Sequence, residues 1–172
     1  MNRVAVGIIV GFLFMLIAPF IFTEWEVNAL MNVSLGSIFL QMGSEPARAF
    51  CTWFGLGFQN DGSLFRIFTD LNWFFDTNLR EIMWMTIMAW FSTAFVIGLI
   101  VRGPKKSTFT ALGVFISYFA LYMILAVVSG KDLATIFTGP NLVDQIGVLL
   151  TGALFSFLGA VLGGTVSGAG ED

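Results

Sequence analysis

The chain has 172 residues, 57% of them hydrophobic and 11% charged, with a net charge of −3. Soluble domains carry about 25% charged residues; less than half that supply, with a mean hydropathy of +0.88, excludes a disordered chain, a nucleic-acid binder and an ordinary soluble enzyme. Histidine is absent and Cys51 is the one cysteine, which removes histidine-ligated haem, the usual zinc sites, intramolecular disulfides and Ser-His-Asp or Cys-His catalysis.

Four windows contain no Asp, Glu, Lys or Arg: residues 4–22, 82–101, 108–128 and 146–166. Each is about 20 residues and reaches about 30 Å as a helix, the thickness of bilayer hydrocarbon. Without water to satisfy the backbone such runs must be helical, and none alternates as a barrel strand would. The expected fold class is therefore an all-α integral membrane protein of four transmembrane helices, forming one membrane domain over residues 1–172. The first window is read as a retained anchor. Its apolar run is long for a signal peptide, and no small-x-small cleavage site follows Phe20-Ile21-Phe22. It carries Gly7-x-x-x-Gly11.

Residues 23–81 form a long segment between the first and second spans. Leu64, Ile67, Phe68, Leu71, Phe74 and Phe75 recur at i, i+3, i+4, i+7, i+10 and i+11, one side of an amphipathic helix expected near 63–79. A weaker apolar face, Met31, Leu35, Ile38, Phe39 and Met42, predicts a second helix near 28–42, ended by Gly43 and Pro46. Both are expected to lie in the membrane interface and cap the bundle. Phe65, Phe68, Leu71, Trp73, Phe74 and Phe75, with Trp84, form the expected interfacial surface; a docking surface for another subunit, or a lid over a hydrophobic ligand site, is the sharper alternative. Asn32-Val33-Ser34 is a weak glycosylation sequon.

The second span gathers Met83, Trp84, Met85, Met88 and Trp90 toward its start and carries Ala94-x-x-x-Gly98. Trp84 is read as an interface anchor; Trp90, two turns deeper, is open. The third span has Gly113-x-x-x-Ser117. The last is the densest in small residues: Gly152, Ser156, Gly159, Ala160, Gly163, Gly164 and Gly168 follow one another at intervals that keep them near one face. Each glycine costs a water-exposed helix about 1 kcal/mol relative to alanine. In lipid, close backbone approach between helices is the compensating gain. The pattern is silent on whether the neighbour is in the same chain or in another.

Arg3 and the link Arg102-Gly103-Pro104-Lys105-Lys106-Ser107 bring four basic residues to the side holding both termini. Basic residues in short flanking loops set topology, so both termini are expected in the cytoplasm, with the acidic 23–81 segment outside the cell membrane. No carboxylate or lysine lies at mid-span, which lowers the reading of a proton relay or ion-coupled transporter. A rotary-type ring helix is excluded for the same reason. The resulting expectation is a non-catalytic subunit of a larger membrane assembly, with membrane lipids and other membrane subunits as partners, in a hetero-complex or a homo-oligomer. No cofactor is expected beyond lipid. The alternative is a small oligomeric transporter, channel or hydrophobe-binding protein with a path lined by Ser92, Thr93, Ser117, Tyr118 and Tyr122. A membrane enzyme using Asp61, Asp70 and Asp76 ranks third.

Overall fold

A computed structural model describes residues 2–22, 26–27, 33–58, 63–64, 77–138 and 140–168. Helix α1 (Arg3–Ile21) opens on Asn2, whose side-chain oxygen accepts the Val4 amide at 3.1 Å, satisfying one of the free first-turn donors. Beyond it, β1 (Glu26–Val27) and β2 (Val33–Ser34) pair antiparallel with Glu26 opposite Ser34. Ser34 then starts α2 (Leu35–Ser44) with a reciprocal cap: its hydroxyl takes the Ser37 amide, and the Ser37 hydroxyl takes the Ser34 amide. Pro46 opens α3 (Pro46–Gly55) at a position that needs no amide. A 3-10 turn, Leu56–Phe58, follows directly.

The remaining helices are α4 (Thr77–Val101), α5 (Pro104–Val128), the single turn α6 (Leu133–Ile136) and α7 (Pro140–Val166). Arg102 and Gly103 both take positive φ, 61° and 79°, and the backbone reverses there before Pro104 restarts a helix. At the far end of α5, Gly130 has φ 80°. Lys131 N donates to Ala126 O at 2.9 Å and Gly130 N to Val127 O at 3.0 Å, the paired bonds of a left-handed helix stop.

Among the described residues, four helices are long and apolar enough to cross a membrane: Arg3–Ile21, Arg80–Val101, Pro104–Val128 and Asn141–Val166. Their directions follow from which residues meet. Gly7 faces Val101, Gly11 faces Ile97 and Met15 faces Thr93, so α1 and α4 are antiparallel. Gly159 faces Phe91 and Gly163 faces Phe95, so α4 and α7 run parallel. These two make the most extensive helix contact in the molecule. The start of α1, the 102–107 link and the end of α7 therefore share one end of the bundle. Ser167 Oγ donates to Gly98 O at 3.2 Å, and Gly103 N donates to Gly164 O at 3.3 Å.

The surface along the long helices is apolar, and a few hydroxyl residues are buried beside an apolar core. Thr86, Thr93, Ser107, Thr151 and Ser156 are buried, while Ile9, Leu13, Phe109, Ile116, Ile124, Leu150 and Leu154 face outward along the long helices.

The helices extend past the windows drawn at charges. α4, α5 and α7 each begin with a polar stretch, because a charged residue in a terminal turn does not end a helix; its side chain reaches outward from it. The segment between α1 and α4 differs more from expectation. The helix expected near 28–42 begins only at Leu35, since Val33 and Ser34 are extended and Ser34 is the cap. It passes Gly43 and stops at Ser44, and Pro46 starts another helix rather than ending this one. In the helix expected near 63–79, residues 65–76 lie outside the described residues, as do Asn32, Asp61, Asp70 and Asp76. Ser63 and Leu64 are not helical, and Thr77 onward belongs to α4.

Candidate functional site

The charge-free stretch after Arg48 is too short to cross a bilayer. Apolar runs of about 10–14 residues tend to be buried or to re-enter, and the end of this one is buried. At the start of α3, Glu45, Pro46, Ala47 and Arg48 line a cleft of about 350 Å³ with Val128 and Ser129, the far end of α5. At its other end, Gly55 lies against Tyr122: a Cβ there would be 2.9 Å from the ring. α3 thus descends along α5, antiparallel to it, and delivers the 3-10 turn between the long helices.

Phe58 is 1% exposed at the tip. Its ring centroid lies 5.1 Å from that of Phe119, 5.4 Å from Trp90, 5.5 Å from Tyr122, 5.9 Å from Phe115 and 6.0 Å from Tyr118. Trp90 packs edge-on against Phe115 at 4.7 Å and Tyr118 at 5.6 Å. These contacts come from near the middle of α4 and α5, so the turn sits deep in the bundle. Gly57 leaves room for its neighbours: a Cβ would fall 2.5 Å from Met15 Cε, the movable end of that side chain on α1, and 3.3 Å from the Trp90 ring.

Irregular backbone at such depth must find partners within the protein. Trp90 Nε1 donates to Gly57 O at 3.0 Å, and this bond is buried. Trp53 Nε1 donates to Leu16 O at 2.7 Å, tying α3 to α1. Beyond the turn, Leu64 N donates to Thr151 Oγ1 at 3.0 Å, while that hydroxyl donates to Gly147 O at 2.7 Å. Leu64 packs with Met83, Ile87, Met88 and Phe155. The deep part of the segment is thus bonded to α1, α4 and α7, and ringed by aromatic residues of α5. Trp90 is a central member of this cluster. The side chains that meet there are aromatic and thioether groups, the Cys51 thiol and the hydroxyls of Tyr118 and Tyr122.

The small residues take several positions. Gly159 and Gly163 sit so close to α4 that a Cβ would overlap the carbonyl oxygens of Phe91 and Phe95 respectively. A Cβ on Gly98 would lie 2.7 Å from Gly164 N, and one on Gly164 2.9 Å from Ser107 Oγ. Ala94 and Ala160 are buried in one cluster with Ile97 and Val101. Gly7 and Gly11 receive Val101 and Ile97; Gly152 receives Phe115 and Trp90; Ser156 is buried. All of these contacts are within one chain. Gly113 and Gly168 differ: among the described residues nothing lies within 4 Å of a Cβ at either. Gly168 stands beyond α7 with φ 80°, and ends the helix. Ser117 is exposed beside Gly113 on the outer face of α5.

Trp84 is 49% exposed near the start of α4. Phe65, Phe68, Leu71, Trp73, Phe74 and Phe75 lie outside the described residues. The five hydroxyl-bearing positions of the alternative path do not converge on one channel. Tyr118 and Tyr122 pack on Phe58, Thr93 Oγ1 faces Met15 Sδ at 3.7 Å, Ser92 Oγ bonds Met88 O, and Ser117 faces outward. Comparison with known protein families, curated proteins and solved structures finds no match to the chain.

Proposed function

We propose that the chain is a four-span protein of the cell membrane that acts as a non-catalytic structural subunit of a larger membrane assembly. The observation that carries the membrane reading is the apolar outer surface of the long helices. Phe109 is 70% exposed and Ile116 64%, while Thr151 and Ser156 are buried. In water, covering that apolar belt would be worth about 25 cal/mol for each Å²; lipid covers it without a partner. The structural role is supported by how the interior is filled. Aromatic rings and hydrogen-bonded backbone occupy the space at the level of Trp90. α2 and α3 also leave Phe39, Leu40 and Phe50 outward, a patch at the acidic end on which another subunit can dock.

Both termini are placed in the cytoplasm. Arg3, Arg102, Lys105 and Lys106 mark one end of the bundle; the described acids Glu26, Glu45, Glu81, Asp132 and Asp144 stand on segments at the other. In a Cys51→Ala background, Lys131→Cys is expected to react with an impermeant maleimide on intact cells, and Lys105→Cys only after lysis. The reverse pattern would invert the assignment.

The subunit role predicts a co-migrating membrane protein at fixed stoichiometry after native-level expression and mild detergent extraction. Recovery of monomer alone, from membranes that retain the chain through an alkaline carbonate wash, would refute it.

A further inference from the structure

We infer that the outer groove between α1 and α5 is a binding site for one anionic phospholipid of the cytoplasmic leaflet; this rests on the membrane placement proposed above. The groove has a volume of about 350 Å³ and lies between Val4, Ile8 and Phe12 on α1 and Phe109, Gly113 and Ser117 on α5. Its floor exists because Gly113 has no side chain: nothing lies within 4 Å of where its Cβ would be. The small-residue pair of the third span therefore opens a space instead of closing one. Phe109 stands at its upper edge, 70% exposed.

Length and charge identify the occupant. From Val4 to Phe12, and from Phe109 to Ser117, the groove extends about 12 Å along the helices. One leaflet of hydrocarbon is about 15 Å deep, so the groove takes most of one acyl chain. Its mouth opens at the basic end of the bundle. Arg3 precedes Val4, and Lys105 lies one turn before Phe109; both are exposed. Arg102 and Lys106 add positive charge at the same end, and the described acids are on the opposite end. A hydrophobic slot of leaflet depth beneath a cationic rim matches a phosphodiester headgroup above a chain. A neighbouring apolar helix would satisfy the slot and leave the rim unused.

The test uses the full chain reconstituted in phosphatidylcholine vesicles doped with spin-labelled phosphatidylglycerol or spin-labelled phosphatidylcholine of the same chains. The motionally restricted fraction is read by electron spin resonance at low salt. Preference for phosphatidylglycerol is expected at about fivefold for each basic side chain engaged, falling toward parity in Arg3→Gln/Lys105→Gln. In Gly113→Leu/Ser117→Leu, the restricted fraction is expected to fall for both lipids with thermal stability not lowered. Equal retention of the two lipids overturns the proposal. So does preference that survives filling of the groove, which would place the effect in the general lipid annulus. A cross-linked homodimer through residue 113 would also overturn it, by giving the groove to a second copy. Release of the chain by an alkaline carbonate wash would refute the membrane placement itself; retention in the wash without lipid preference sinks the lipid site alone.

Discussion

Gly159→Leu is expected to unfold the bundle or to lower its stability by more than about 3 kcal/mol, read as the shift in a denaturing-detergent titration. Two effects oppose each other. In a helix exposed to water, leucine is favoured over glycine by about 0.8–1 kcal/mol. Against that, a Cβ at this position overlaps the Phe91 carbonyl oxygen, which belongs to backbone and cannot rotate away. The only relief is separation of α4 from α7, which also parts Gly163 from Phe95 and Gly98 from Gly164. Packing losses along the whole seam then outweigh the propensity gain. Gly113→Leu is the matched control: same chemistry, nothing within 4 Å, and no loss of stability expected, only the propensity gain of up to about 1 kcal/mol. Equal behaviour of the two variants would mean that the α4–α7 seam is not a close backbone contact.

Phe58→Ala is expected to cost about 3–5 kcal/mol. The substitution deletes the ring on which Trp90, Phe115, Tyr118, Phe119 and Tyr122 converge. Collapse of neighbours into the gap is opposed by hydrogen bonds on either side of it, Trp90 to Gly57 and Leu64 to Thr151. Trp90→Phe keeps most of the ring and removes one donor, leaving the Gly57 carbonyl buried without that bond, at about 1–3 kcal/mol. The ordering, Phe58→Ala worse than Trp90→Phe, separates a wedge driven into the bundle from a cap resting on it. A cap would lose less than about 1 kcal/mol in either variant. The measurement is the same denaturing titration, followed by tryptophan fluorescence for Phe58→Ala.

The glycine spacing of the last span announced close packing but not its direction. Gly159-x-x-x-Gly163 and Ala94-x-x-x-Gly98 are similar strings, and so is Gly113-x-x-x-Ser117. In the folded chain the first two face each other and the third opens a groove. A spacing rule describes one helix surface; it contains no term for the surface opposite. The stretch from Ala49 to Phe58 was legible in principle. Its lack of charge, modest length, opening Pro46 and paired Gly55 and Gly57 are the signs of a short helix that stops inside a core. Amphipathic periodicity missed its deep end because residues 54–58 are buried on every side and have no polar face to alternate with.

What the residues determined on their own was the set of long apolar helices and the polar breaks between them. Hydration cost and backbone satisfaction are sums over consecutive residues, so a window of sequence is sufficient to evaluate them. Only the tertiary structure decided that the glycine-bearing face of α7 is consumed against α4, that Phe58 reaches Trp90, and that Gly113 is left facing a gap. Each of those depends on which distant segment arrives at a given depth, and that is settled by mutual exclusion of atoms among helices.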